Sequence, residues 1–311
     1  MQENYDVLIV TTAKDYLRLQ CNYPRLIQNM PGRRLLFVGN EEVGRLVAES
    51  GLGERVGFLA EDDIIPFAAV HGVMQEVLGR EDVPRGITGW YYQQFLKMQY
   101  HAQCGDAYYL VWDGDTVPCK PFSMFQEEGG IPYLDLKHEC HEEYFRTLEK
   151  LLPGMRKCIE KSFIAEHMLI NCEIMRELIR DIQANEQIPG ERFYEKVLHA
   201  IDPKQLTSNS FSEFETYGTY VAFRHPTAYR LRNWNSFRYA GEFLDPHTLD
   251  DEDYEWLGRD FFALSFEKGH TVRPDHRNLF DNKEYQSKLS ARRMLEIAQE
   301  EFKDSYIEVW E

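Results

Sequence analysis

The residues best suited to chemistry lie in one short passage. Asp113-Gly114-Asp115 follows directly on six apolar or aromatic residues, Ala107 to Trp112, and leads into Thr116. A continuously apolar run of that length reads as a strand buried on both faces, as in a parallel sheet covered by helices, so both carboxylates emerge at its carboxyl end. In open α/β sheets that edge is where ligands bind. Two carboxylates so close repel each other unless a cation lies between them, and the intervening glycine lets another group approach. Magnesium or manganese bridging a diphosphate suits such a pair, because hard cations take oxygen ligands and usually share them with substrate phosphates. A strand-end turn with solvated acids is the plainer reading of Asp-x-Asp, and the strand context argues against it. Asp251-Glu252-Asp253 serves as a control, since in its polar setting the acids cap and solvate a helix start.

The elements that must position this passage follow from hydrophobic spacing. Tyr5 to Val10 reads as a first buried strand and Arg34 to Val38 as a second, with a short one near Val56 to Leu59. Helical spacing fills Lys14 to Gln28, broken early by Pro24, and Glu41 to Ser50. This alternation is the mark of a Rossmann-like half, although no Gly-x-Gly-x-x-Gly follows any strand, which disfavours a dinucleotide oxidoreductase. Trp90 to Ala102 carries Tyr91, Phe95, Met98 and Ala102 on one helical face and Gln93 with Lys97 on a second, which feeds toward the acidic turn. Lys97 there faces a phosphate or sugar, or else solvent. Beyond the turn, 129–134 reads as a turn and strand, with helices at Glu142 to Leu152, Asn171 to Ala184, Glu191 to Ala200 and Phe211 to Tyr220. A late strand is expected at Thr219 to Phe223, and Asn282 to Phe302 has helical spacing. No composition break divides the chain, so a single domain spanning 1–311 is expected.

Composition bounds the function. The 311 residues are 43% hydrophobic, enough for a large core. The formal charge of −17 repels phosphate backbones, so nucleic acid is not expected as a partner. No secretory leader or transmembrane segment is visible, which leads to the expectation of a cytoplasmic protein. The six cysteines lack a Cys-x-x-Cys pair, so buried or free thiols are expected; His138-Glu139-Cys140-His141 matches no zinc spacing and sits where a helix begins. Residues 224–240 stand apart, with Arg224, Arg230, Arg232 and Arg238 among aromatics and no acid. Two readings stay open there: peripheral contact with a membrane surface or another anionic group, or arginines paired to neighbouring acids around a buried aromatic cluster.

Four passages in order, Tyr5 to Asp15, Gly89 to Met98 before Tyr109 to Pro118, Ser162 to Asn171, and Ser212 to Gly218, resemble nucleotide-sugar glycosyltransferases of the GT-A fold, particularly the bacterial polysaccharide and lipopolysaccharide type. The resemblance implies a mixed, mainly parallel α/β sheet flanked by helices, with a nucleotide-binding half at 1–120 and an acceptor-side half with C-terminal helices at 121–311. It implies a hexosyltransferase-type enzyme, using Mn2+ or Mg2+, that moves a sugar from a nucleotide-diphosphate donor, with UDP-sugar favoured, to a glycan or glycolipid. Thr11, Thr12 and Asp15 would lie near the nucleotide, Gln93 and Lys97 would contact the donor, and Asp113 and Asp115 would hold the divalent ion. A late histidine completes such sites; His270 is the best placed, with His225 and His276 competing. Glu213, in the acidic helix start Ser212-Glu213-Phe214-Glu215, would take the acceptor hydroxyl's proton or stabilise charge on the sugar ring, with His167 as the second catalytic candidate. The retaining pattern His-x-x-Gly-x-x-Lys-Pro-Trp is missing from the sequence, which leaves stereochemistry and the third metal ligand open.

Three rivals remain. A haloacid-dehalogenase-type phosphatase would use Asp113 as nucleophile and Asp115 as acid, although its loop normally follows the first strand and no later strand ends in paired acids. A nucleotidyltransferase would want a glycine-rich basic loop after strand one, and Thr11-Thr12-Ala13-Lys14-Asp15 has no glycine. A non-catalytic carbohydrate-binding relative would not need Asp113, Asp115 and Glu213 intact.

Overall fold

Short β-branched and aromatic runs form the strands of the central sheet. The computed structural model describes residues 4–139, 141–273 and 279–302. Strands β1 (Asp6–Val10), β2 (Arg34–Gly39), β3 (Val56–Ala60) and β4 (Tyr108–Trp112) run parallel, and β7 (His167–Asn171) runs antiparallel beside β4, in the order β3-β2-β1-β4-β7. The result is a mixed, mainly parallel α/β sheet flanked by helices, as expected from the sequence. Alternate side chains of β4 explain its unbroken apolarity: Tyr109 and Val111 enter the core on one face, Leu110 and Trp112 the core on the other. Each such fully buried large side chain contributes about 1.5–3 kcal/mol.

On the first face pack α4 (Glu61–Ile64), α5 (Phe67–Leu78), α6 (Arg85–Gln99), α7 (Glu142–Leu151), α8 (Cys172–Gln183), α9 (Phe193–Ala200) and α10 (Glu213–Arg224). On the second lie α1 (Ala13–Leu19), α2 (Tyr23–Asn29), α3 (Glu41–Glu49), α11 (Asp251–Leu257) and the helix Ala291–Phe302. A small sheet of β5 (Thr116–Pro118), β10 (Ala263–Ser265) and β9 (Ser236–Phe237) lies on this side too, and β6 (Tyr133–Leu136) pairs parallel with β8 (Arg230–Asn233). Among the described residues no helix is long and apolar enough to cross a membrane.

Several expectations are corrected. The helical stretch is interrupted as expected, but at Gln20–Asn22, and Pro24 lies in the first turn of the new helix α2, where its missing N–H is not needed. The strand expected at Thr219 to Phe223 is the second half of α10, whose Phe214, Tyr217, Tyr220 and Val221 share one buried face. Helical period over a longer window thus overrides the β-propensity of Thr219 and Val221. The terminal helical stretch divides into Lys283–Lys288 and Ala291–Phe302.

Gly218 in α10 is a packing requirement. A Cβ there would lie 2.2 Å from Cγ of Phe163, whose ring is wholly buried. Gly218→Ala is expected to lower unfolding stability by about 1–3 kcal/mol, the usual cost of overpacking, despite alanine's better helix propensity. Urea denaturation checks this, and a neutral or stabilising result would contradict the close approach.

Candidate active site

The acidic turn is pinned from several sides. The Asp113 amide donates to the Glu166 carbonyl at 2.8 Å, Thr116 N–H closes onto the Asp113 carbonyl at 3.2 Å, and Trp112 Nε1 donates to the Thr116 carbonyl at 2.8 Å. β10 pairs antiparallel with β5, which sets Ser265 opposite Thr116 with hydroxyls 2.8 Å apart. Gly114 lies against the end of β1: a Cβ there would meet the Val10 carbonyl at 3.1 Å and Thr11 at 3.4 Å. Thr11 is therefore a direct neighbour of the turn.

The Asp115 carboxylate sits in a negative environment. Burial, then the charges of Asp113 and Glu267, push the Asp115 carboxyl up to about 7, with Arg18 and the Thr116 hydroxyl only partly offsetting them. Such a pair suits a cation. Among the described residues no trio of His, Cys, Asp or Glu is placed to hold one. Two carboxylates are oxygen donors of the kind magnesium takes, and an ion held by them would draw its remaining oxygens from substrate and water.

Lys97 organises the other side. Its Nζ lies 2.7 Å from Asp113 Oδ1 and 2.8 Å from Glu213 Oε1, with the Lys97 and Glu213 side chains 5% and 6% exposed and that of Asp113 33%. Burial disfavours the ammonium, but the two carboxylates outweigh it and hold its pKa above the ordinary lysine value. The ammonium also lies 4.8 Å from the centroid of the Phe214 ring. Lys97, expected from the sequence to face a phosphate or sugar or else solvent, is thus buried between two acids. The partner glutamine is Gln94: buried, its Oε1 accepts the Glu213 amide at 3.0 Å, whereas Gln93 is half-buried on the neighbouring position.

Glu213 is the first residue of α10, where Ser212 caps the helix by accepting from the Glu215 amide at 3.2 Å. Glu215 turns elsewhere and accepts from the Ser162 hydroxyl at 2.7 Å and the Phe163 amide at 3.1 Å. It ties the first turn of α10 to the segment that begins at Ser162, and burial raises its pKa.

At the end of β1, Thr12 caps α1: its hydroxyl donates to Asp15 Oδ2 at 2.7 Å and accepts from the Asp15 amide at 3.2 Å. Asp15 also pairs with Arg18 at 3.0 Å, and Arg18 reaches the Phe266 carbonyl beyond β10. Arg18, Gln94 and Glu267 were not singled out from sequence. Nothing local marks them, and only the meeting of α1, α6 and the segment after β10 brings them to the turn.

The histidines are placed otherwise than expected. His167 is 1% exposed, stacked 5.2 Å from Trp112, with Nε2 2.7 Å from Asp135 Oδ2. Asp135 is held in turn by Arg232 at 2.6 and 2.7 Å. Burial would raise the Asp135 pKa, yet Arg232 and His167 keep it below the ordinary range. The structure thus places His167, the second catalytic candidate, in an enclosed contact with Asp135 and Trp112. His270 lies near Tyr239 and 3.9 Å from Glu267 Oε2, and forms no metal trio with Asp113 and Asp115. His225 pairs with Glu177 at 3.0 Å, and His276 lies outside the described residues.

The remaining motifs are structural. Asp250 and Asp253 cap α11 reciprocally, so Asp251-Glu252-Asp253 is a helix start. His141 precedes α7 (Glu142–Leu151) and bonds Glu139, while Cys140 lies outside the described residues. The described cysteines are free thiols. Of the basic segment 224–240, Arg232 is spent on Asp135, and Arg238 on Glu139 and Glu267.

A model of the family of unknown function DUF6492 matches residues 36–296, and the chain belongs to that family. No curated protein matches it. Among solved structures it is similar to mouse xyloside xylosyltransferase 1 in its apo form, at 14% identity and a TM-score of 0.42, covering 87% of this chain and 100% of that one. It is similar also to the galactosyltransferase LgtC in complex with donor and acceptor sugar analogues, at 12% identity and 0.39, covering 95% of each. The apo bifunctional glycosyltransferase WbbM matches at 12% identity and 0.41, covering 96% of this chain and 52% of that one.

Proposed function

We propose that this DUF6492 member transfers a sugar from a nucleotide-diphosphate donor, with UDP-sugar favoured, to a glycan or glycolipid acceptor. The observation that carries this reading is the acidic pair at the carboxyl end of β4, with the Asp115 carboxyl pushed up to about 7 and Asp113 tied through Lys97 to Glu213. Asp113 and Asp115 would hold Mn2+ or Mg2+, and Thr11, Thr12 and Asp15 would line the nucleotide side. When bound, the cation neutralises charge developing on the departing nucleoside diphosphate. Lys97 bridges Asp113 and Glu213 and fixes their spacing. Glu213, with one oxygen held by Lys97, offers the other to the acceptor hydroxyl's proton or to positive charge on the sugar ring. Because Glu213 and Asp113 share one lysine, the carboxylate that serves the acceptor is in register with the one that serves the diphosphate.

The phosphatase alternative fits less well: the acidic turn follows the fourth strand along the chain, and the next strand of the central sheet, β7, is antiparallel. Thermal shift with a panel of nucleotide sugars, with and without manganese, tests the proposal. A donor at about 100 times its dissociation constant stabilises the fold by roughly 2.7 kcal/mol, and that gain should appear only with the metal. Hydrolysis of phosphate monoesters in place of a donor response would overturn it in favour of the phosphatase, and silence in both assays in favour of a non-catalytic relative.

A further inference from the structure

We propose that the turn joining α10 to β8 docks this protein on an anionic lipid membrane. The inference goes beyond sugar transfer and stands on the surface itself. Phe223 and Leu231, 42% and 55% exposed, flank this turn, and both belong to the small group of large apolar side chains left open to solvent. Between them Arg224, Pro226, Thr227 and Arg230 are exposed. Among the described residues neither Arg224 nor Arg230 has an ion-pair partner, in contrast to Arg232 and Arg238 of the same segment.

Two nearby acids are turned to α10 and its C-terminal end and not to these arginines. Glu177 accepts from the Tyr220 hydroxyl at 2.8 Å and meets His225 at 3.0 Å, and Asp181 accepts from Tyr220 at 2.7 Å. The base of the turn is anchored: Tyr229 is buried with its hydroxyl 3.0 Å from the Leu169 carbonyl, and the Arg230 amide donates to the Pro132 carbonyl at 2.8 Å. Along this segment two exposed cations thus lie between two exposed apolar residues on an anchored base, the combination that lets apolar groups enter the headgroup boundary while arginines meet lipid phosphates.

Charge complementarity selects the occupant and the orientation. At −17 the protein is repelled by an anionic surface almost everywhere, but screening over about 8 Å confines that repulsion to the parts brought close. Contact through this turn brings Arg224 and Arg230 to the surface first. Glu213 and Arg224 occupy opposite ends of α10, about 17 Å apart at the helical rise, so docking would hold the candidate site above the bilayer and clear of it.

The test is co-sedimentation of the full chain with vesicles of phosphatidylcholine alone and of phosphatidylcholine mixed with phosphatidylglycerol, at low and at physiological salt. Binding is expected to the mixed vesicles and to weaken with salt. R224Q/R230Q should reduce partitioning about thirty-fold, from roughly a kcal/mol per arginine and 1.4 kcal/mol per tenfold, and F223S/L231S should reduce it independently. Thermal melting checks that each variant is folded. Wild-type protein left in the supernatant at low salt, or folded variants that sediment like wild type, would overturn the proposal. Equal retention of wild type and F223S/L231S on heparin and on vesicles would mean a general polyanion site and not a bilayer one. The assay reads binding alone, so its outcome is independent of whether sugar is transferred.

Discussion

Asn at both Asp113 and Asp115 is expected to abolish the proposed metal-dependent donor hydrolysis and sugar transfer, and in metal-free protein the Asp115→Asn change is expected to raise stability. The first effect follows from removing both carboxylates that would hold the cation, a loss of several orders of magnitude where a metal carries the electrostatic stabilisation. The second follows from linkage. In the unfolded chain Asp115 ionises near its ordinary value of about 3.9, whereas the folded protein holds its proton up to about 7. Between those values the unfolded state releases its proton first, so wild-type stability falls as pH rises and the full penalty is present above about 7. Asparagine removes that penalty. D115N is expected to exceed wild type in urea midpoint at pH 8 in chelator, with the gap closing toward pH 4. A double Asn variant that still transfers sugar would remove the metal role, and a D115N less stable than wild type at pH 8 would contradict the acidic environment.

Lys97→Met should cost the fold about 3–5 kcal/mol, the usual consequence of removing one partner of a buried ion pair. The reason is specific: Glu213, with a 6% exposed side chain, is left as a buried carboxylate whose one direct cation has gone. Transfer activity should fall with it, since Asp113 and Glu213 lose their common anchor. The double variant K97M/E213Q separates the two effects. Neutralising Glu213 should restore much of the stability, giving a coupling of several kcal/mol in the cycle, while activity stays lost. Wild-type stability in K97M, measured by equilibrium urea unfolding, would show that the buried pair is not as placed.

Much of the fold was legible because it depends on local pattern. The apolar runs at Asp6–Val10, Arg34–Gly39 and Tyr108–Trp112 are short, β-branched or aromatic, and ended by small or polar residues, so their burial on two faces could be read directly. The helix at Glu142–Leu151 was legible for a similar reason, since its apolar spacing has one clear period. The second half was harder. β8, with its largely exposed Arg-Leu-Arg-Asn, carries no strand pattern and exists because β6 offers an edge to it. β7 was read as a functional segment; its apolar His-Met-Leu-Ile-Asn is a strand because it closes the sheet beside β4.

For the candidate site the division is sharper. Sequence alone determined that two carboxylates stand at the end of a buried strand, that a lysine lies one helix before them, and that an acidic helix start follows far along the chain. These are properties of spacing and composition within single elements. Tertiary structure alone decided that Lys97 and Glu213, 116 residues apart, share a salt bridge, and that Gln94 rather than Gln93 holds the Glu213 amide. It also decided that His167 is enclosed against Trp112 and Asp135, and that Arg18 and Glu267 set the charge around Asp115. An ion pair between distant segments leaves no period in the chain, because what selects it is the low dielectric and close packing that exist only after the elements have met.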